Sequence, residues 1–394
     1  MYTIEGKYTN ALITEDNLES TCLAQITVCV NHPAFTQPIA IMPDAHAGKS
    51  CVVGFTMSLG DKIVPEVVGV DIGCGVLAVQ TDYTASDYRN KNLQEVDTLV
   101  REAIPHGFCT FNNQDQSLLT ESFSKGMKQL NGQIAAAERH LGISMKSPVD
   151  VAFIEDRINL FGGKKVYDSL GTLGGGNHFI EMSKDSHNRL WVVIHSGSRN
   201  FGLQVCTYWQ QKAQNKEMGI AWLEGEDALG YVIDMLIAQH FALENRAVMS
   251  ERVCNVLGCT IQDKLLSTHN YISPYDFIIR KGAVRAHSGD KIIIPMNMRD
   301  GSYVCRVISG NENWNYSAPH GAGRILSRGA AKRSLDIAQF QEDMRGIYTG
   351  NNPENVLDEA PRAYKNKEVF LKAIAAEKNI EIIEHLKPIH NIKA

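Results

Sequence analysis

Pro65-Glu66-Val67-Val68-Gly69-Val70-Asp71-Ile72-Gly73-Cys74-Gly75-Val76 is the stretch on which the reading of this chain turns. A β-branched run leads to an Asp and a Cys three residues apart, with a glycine on each side of the Cys. The pattern predicts strand, turn and strand over residues 67–80, with Asp71 and Cys74 at the turn. A thiolate beside a carboxylate is a metal-ligand pair. Gly73 and Gly75 clear space around the sulfur for a metal, its other ligands and a substrate phosphate. A buried free Cys in a strand is the simpler alternative, so the metal reading needs partners from the rest of the chain.

Composition sets the bounds. The chain has 394 residues, 44% hydrophobic and 21% charged, as ordinary soluble enzymes do. It can bury a large core in one big domain or two smaller ones. The net charge of -5 makes the surface as a whole no magnet for nucleic acid, so phosphate binding has to be local. Met1 to Asn10 lacks an apolar signal region, and no stretch approaches the roughly 20 apolar residues of a membrane span. The 9 Cys include no Cys-x-x-Cys pair, which points to a reducing cytoplasm rather than a disulfide scaffold.

Working outward, residues 1–30 read as a short leader and a helix. Residues 38–59 read as two strands around Pro43-Asp44-Ala45-His46-Ala47-Gly48-Lys49, with Asp44 and His46 on one side of an extended chain. Residues 84–161 read as helical and connecting, most clearly Lys125 to His140. Gly174-Gly175-Gly176-Asn177-His178-Phe179-Ile180-Glu181 offers a backbone able to wrap closely around a ligand, without the ending of a P-loop or a dinucleotide fingerprint. The apolar run Leu190 to Ile194 ends at His195, and Ser196-Gly197-Ser198-Arg199 offers hydroxyl, amide and guanidinium donors to a phosphate. Residues 227–257 read as one amphipathic helix serving the core. Ser267-Thr268-His269-Asn270 and three further strands follow. His320 reads as the start of a helix, with Arg324, Arg328 and Lys332 spaced along one helical face as an anion site. The Pro-containing tail through Lys393 and Ala394 reads as docked.

Asp71, Cys74, His178, His195 and His269 exceed the four ligands of one tetrahedral site. Two metals sharing the thiolate account for all of them, and such a pair clamps phosphoryl groups. His320, set apart among glycines and cations, reads as a nucleophile toward phosphorus. The residues alone therefore indicate a dinuclear metal enzyme acting on phosphate esters or anhydrides. The expected fold is α+β, one large domain over residues 1–394, with mixed and antiparallel strands around a polar central metal-binding cleft.

The ordered set Met42-Pro43-Asp44-Ala45-His46, Gly69 to Gly75, Gly174 to Glu181, Ile194 to Arg199, His269-Asn270 and His320-Gly321-Ala322-Gly323-Arg324 resembles the RtcB family of RNA ligases. The resemblance runs from about residue 40 to Lys393. It implies a GTP- and manganese-dependent ligase that joins RNA 2′,3′-cyclic phosphate or 3′-phosphate ends to 5′-hydroxyl ends, as in tRNA splicing or RNA repair. By that likeness Asp71, Cys74 and His178 hold one Mn2+, and Cys74, His195 and His269 the second. His320 becomes guanylylated. Glu181, Tyr364 and Lys393 meet the guanine. Asn177, Arg199, Arg324 and Arg328 contact phosphates, and Asp44 lies near the RNA end. Some relatives use an activating protein partner. Thiolate and imidazole ligands favour zinc by intrinsic affinity, so under this likeness zinc should inhibit. His390-Asn391 is more polar than the likeness leads one to expect of the tail. A metallophosphoesterase using the same ions on water is the alternative.

Overall fold

A sheet of seven strands, each antiparallel to its neighbours, carries the site. Its order is Ile261–Thr268, Gly75–Thr84, Arg189–Ser196, Phe179–Lys184, Ile380–Lys393, Ser302–Val307 and Lys291–Pro295. The two outer strands come back toward each other, and Ile293 N–H donates to Ser267 Oγ at 3.0 Å, so the sheet curls into a nearly closed barrel. The computed structural model describes residues 1–15, 18–145 and 147–393. The readings of residues 1–30, 84–161 and the C-terminal tail include Asp16, Asn17, Lys146 and Ala394, which lie outside the described residues.

Both faces of this sheet are covered, which is why Leu190 to Ile194 is apolar without alternation. Leu77, Val79, Ile180, Val192 and Ile194 pack toward Met249, Val253 and Leu257 of the helix Gly225–Leu257. Val76, Ala78, Val193, Ile293 and Val304 pack on the other side. The helix runs 33 residues and ends at Gly258, whose φ of 74° suits a left-handed cap. Its earlier turns pack in a second core with the helices Ser117–Leu141 and Arg199–Lys212 and a six-stranded sheet. That sheet holds one parallel pair, Asn10–Ile13 with Ile39–His46, among antiparallel ones. The class is α+β, with mixed and antiparallel strands. Among the described residues, no helix is long and apolar enough to cross a membrane.

Three local readings change. Residues 65–68 form a short helix rather than a strand, Pro65–Val68. Pro65 at its first turn favours helix entry, and Gly69 at φ 90° and Gly73 at φ 69° then bend the chain before the strand begins at Gly75. The leader is a β-hairpin, Tyr2–Glu5 with Asn10–Ile13. Helix does not begin at His320. The helix there is Arg328–Ser334, N-capped by the Ser327 hydroxyl, and Arg324 lies before it in an extended bridge to Tyr364.

Candidate metal centre and nucleotide cleft

Strand register brings the distant ligands together. Gly75 pairs with Thr268 on one side and with Ser196 on the other, and Phe179 pairs with His195. Cys74 immediately precedes Gly75, His269 follows Thr268, and His178 precedes Phe179. Four adjacent strand ends therefore deliver these side chains to one edge of the sheet. Phe179 also pairs with Lys393, and Glu181 with Asn391, so the C-terminal strand adds its residues at the same level.

The glycines beside the sulfur admit protein rather than substrate. A Cβ on Gly75 would stand 2.4 Å from Ser267 O, the strand that leads to His269. A Cβ on Gly197 would stand 2.0 Å from Asp71 Oδ1, so only glycine there lets the carboxylate reach the cluster.

Donor atoms crowd in two overlapping groups. His178 Nε2 lies 2.9 Å from Asp71 Oδ2 and 3.6 Å from Cys74 Sγ. His195 Nε2 lies 3.2 Å from Cys74 Sγ and 3.3 Å from His269 Nε2. Cys74 belongs to both groups. Metal bonds of about 2.0–2.3 Å at tetrahedral angles separate donors by about 3.5 Å, so the spacing suits ions. The tautomers agree. His178 Nδ1 faces the Leu173 carbonyl at 3.0 Å, and His195 Nδ1 faces the Asn177 carbonyl at 3.2 Å. A proton on each Nδ1 leaves the Nε2 lone pairs aimed at a carboxylate, a sulfur and another imidazole, an arrangement that calls for a cation. Burial, then His320, holds His269 well below its usual value; burial, then His178, does the same to His195, so both are neutral. Burial and Asp71 push the Cys74 thiol up, so ion uptake at this sulfur releases a proton.

Behind the cluster stands a pair that the core reading of residues 227–257 passed over. Asn245 Oδ1 accepts from Gly171 N–H and Thr172 N–H, while its Nδ2 donates to Thr172 O, Ser196 Oγ and Gly197 O. Arg246 Nη1 donates to Gly73 O and Ser196 O. Both residues are 0% exposed, and together they join the segments bearing Cys74, His178 and His195. Burial draws the Arg246 guanidinium down to about 10, with Cys74 and Asp71 opposing, so it stays charged at neutral pH. A helical pattern carries no sign of such contacts, since Asn245 and Arg246 stand among other polar residues such as Glu244, Ser250, Glu251 and Arg252. Arg246→Met strands two buried carbonyls and is expected to cost about 2–4 kcal/mol and to weaken metal binding about 10- to 100-fold. Chemical unfolding and metal titration check this.

His320 extends the cluster into a cleft. It follows the strand Ser317–Pro319, which pairs with Ala283–Arg285, while Gly282 N–H donates to His269 O at 2.6 Å. This seats the His320 ring 4.8 Å from that of His269, centre to centre. Asp44 is 1% exposed and lies behind His320: its Oδ2 is 2.7 Å from Nδ1 and accepts from the N–H groups of His320 and Gly321. That leaves Nε2 as the free ring nitrogen.

The cleft encloses about 400 Å³, lined among others by His195, His269, His320, Asn177, Glu181, Arg324, Arg328, Tyr364 and Lys393. Arg199 does not line it; its Nε and Nη2 donate to Thr172 Oγ1 and Gly107 O. Glu359 organises the far wall, a role sequence reasoning missed although Asp358-Glu359 sits in the stretch that holds Tyr364. Its carboxylate meets Arg324 at 2.9 Å, Arg328 at 3.2 Å, Lys393 at 3.0 Å and the Tyr364 hydroxyl at 2.6 Å. Burial acts to raise Glu359, but Lys393 and the two arginines hold it low. The polar tail is also explained: Asn391 Nδ2 donates to Glu181 Oε2 at 2.8 Å, and His390 bridges Tyr88 and Asp97 at 2.6 and 2.9 Å.

A nitrogen, sulfur and oxygen donor cluster compatible with bound metal opens on a cleft lined by Arg324, Arg328 and Lys393. The family model described as "tRNA-splicing ligase RtcB" matches residues 25–394, and the chain belongs to that family. It is 31% identical over 406 residues to the "RNA-splicing ligase RtcB" of Escherichia coli K12, covering 95% of each chain. It is 27% identical over 427 residues to the "tRNA-splicing ligase RtcB" of Aeropyrum pernix, covering 89% of this chain and 86% of that one.

Proposed function

We propose that this protein is an RNA ligase that uses GTP and manganese to join 3′-phosphate or 2′,3′-cyclic phosphate RNA ends to 5′-hydroxyl ends. Family membership supports the reaction class, and the placing of His320 carries the finer reading. An imidazole with its Nδ1 against a buried carboxylate and its Nε2 free is set up as a nucleophile. Arg324 and Arg328 line the same cleft to neutralise phosphate oxygens.

In this reading Nε2 of His320 attacks the α-phosphorus of GTP and pyrophosphate leaves. A 2′,3′-cyclic phosphate is first opened by water at its P–O2′ bond to a 3′-phosphate, and the guanylyl group then passes from His320 to the RNA 3′-phosphate, freeing the imidazole. The 5′-hydroxyl displaces GMP as the new phosphodiester forms. Asp71, Cys74 and His178 would hold one manganese, and Cys74, His195 and His269 the other. Bound there, the ions would supply Lewis-acid stabilisation of phosphate charge. Glu181 accepts hydrogen bonds from the guanine edge, Tyr364 and Lys393 lie against the base, and Asn177 serves the phosphates, while Arg199, tied to Thr172 and Gly107, supports the glycine loop instead. Asp44 acts on the RNA end through His320. RNA is the substrate, and the cytoplasm is the place of action.

The test is incubation with α-labelled GTP and manganese, followed by a chase with 3′-phosphate RNA. Acid-labile label on the protein that moves to RNA supports the reading; phosphate release without an adduct marks a metallophosphoesterase.

Glu181 also sets a pH dependence. Burial pushes its carboxyl up to about 7, against Ser183, Asn391 and Lys393. The ionised form accepts from guanine N–H groups and the protonated form does so poorly. Apparent GTP affinity is therefore expected to fall up to about tenfold per pH unit below that value and to level off above it. Glu181→Gln should flatten the profile and weaken preference for guanine, as GTP and ATP titrations of labelling rate will show.

A further inference from the structure

Phe108 is the most solvent-exposed large apolar side chain among the described residues, at 107% of its reference area; the next, Met1, shows 67%. It stands at the tip of a turn fastened on both sides. Gly107, at φ 65°, donates its N–H to Gly174 O at 2.9 Å, and Leu173 N–H donates to Pro105 O at 2.9 Å. Arg199 Nη2 holds Gly107 O at 2.9 Å. On the far side Phe111 N–H donates to Asp168 O, and the Arg252 guanidinium lies over the Phe111 ring at 4.2 Å.

The anchor is the glycine loop of the site itself. A Cβ on Gly175 would lie 3.9 Å from Gly107 Cα, and Phe108 is one Cα step of about 3.8 Å further on. Gly175, Gly176 and Asn177 form an exposed ribbon that leads directly to His178. Arg328 also borders the ribbon, its Nη2 3.1 Å from where a Gly176 Cβ would be. A turn bearing an exposed aromatic ring and a guanidinium thus both adjoin a bare backbone strip that leads to His178. Single-stranded nucleic acid is bound by this combination: stacking for a base, close backbone passage, and charge for a phosphate.

We propose that Phe108 is a stacking platform for a nucleobase of the RNA next to the ends being joined, with the strand crossing Gly175–Asn177 toward Arg328. This rests on the RNA ligase reading. The ring orients substrate and takes no part in bond making, so the effect belongs in RNA affinity.

The experiment compares the full chain with Phe108→Ala, Phe108→Leu and Phe108→Trp. Short RNAs carry 2-aminopurine beside the 3′-phosphate or beside the 5′-hydroxyl. With the unaltered chain, binding should quench one of the two probes. Phe108→Ala should lose the quench and raise the KM for RNA about tenfold, with kcat at saturating RNA and the unfolding midpoint retained. Trp should restore both readouts, whereas Leu, apolar but unable to stack, should not. Unchanged quench and KM in Phe108→Ala would overturn the proposal and leave the ring to a protein partner. Rescue by Leu would also overturn it, since that needs only bulk. The quench is read without turnover, so it reports on stacking even if ligation itself fails in every variant.

Discussion

His320→Ala is expected to abolish covalent labelling by GTP and to lower ligation at least about 10³-fold, while metal content stays at the level of the unaltered chain. The neighbouring imidazoles are poorer substitutes. His195 and His269 point Nε2 into the donor cluster. His46 also lines the cleft, its ring 6.3 Å from that of His320 and its Nδ1 on the Asp44 carbonyl, but burial and His320 draw it down to about 4, which makes it a weaker base and a weaker nucleophile than an ordinary imidazole. The paired variant Asp44→Asn separates the nucleophile from its positioning. It keeps His320 but replaces the carboxylate at 2.7 Å from Nδ1 by an amide, and labelling should fall about 10²-fold or more. Rapid-quench labelling of both variants checks the order. Normal labelling of His320→Ala would remove the guanylylation step from the account.

Cys74→Ala is expected to have the second largest effect, because its sulfur belongs to both donor groups. Bound metal should drop from about two ions per chain to less than about one, and labelling by at least about 10²-fold. The fold should survive: Cys74 N–H to Asp71 O and His269 N–H to Cys74 O are backbone bonds that an alanine keeps. His178→Ala and His269→Ala give the contrast, each expected to remove one ion and leave the other. Metal content of purified, reloaded protein decides. Two ions retained in Cys74→Ala would show that the sulfur is not shared.

These effects were readable in the sequence because each donor sits where chain geometry announces it. His195 closes an apolar run that is buried on both faces, and Cys74 and His178 stand at glycine-flanked strand starts. What joins them is register across strands, and register depends on pairings between segments more than a hundred residues apart, as with Gly75 and Ser196. The supports were invisible for a related reason. Asn245 and Arg246 fit an amphipathic helix as well as any polar residues, and only the packed structure shows them aimed inward at three loops. Glu359 reads as a surface acid until Arg324, Arg328 and Lys393 close around it. The row Arg324, Arg328 and Lys332 was read as one helical face. Arg324 lies ahead of the helix, and all three cations are drawn to Asp358 and Glu359 instead. What groups these cations is the pair of acids, not a shared helical face. The strand expected before Asp71 became a helical turn because Pro65 and two positive-φ glycines outweigh valine's preference for extended chain.

An anomalous difference map at the manganese edge, from crystals grown with manganese, tests the central claim most directly. The account predicts two peaks about 3.5–4 Å apart on either side of Cys74 Sγ, one beside Asp71 and His178, the other beside His195 and His269, both opening on the cleft that holds His320. A single peak, or peaks that leave Cys74 without an ion, would contradict it.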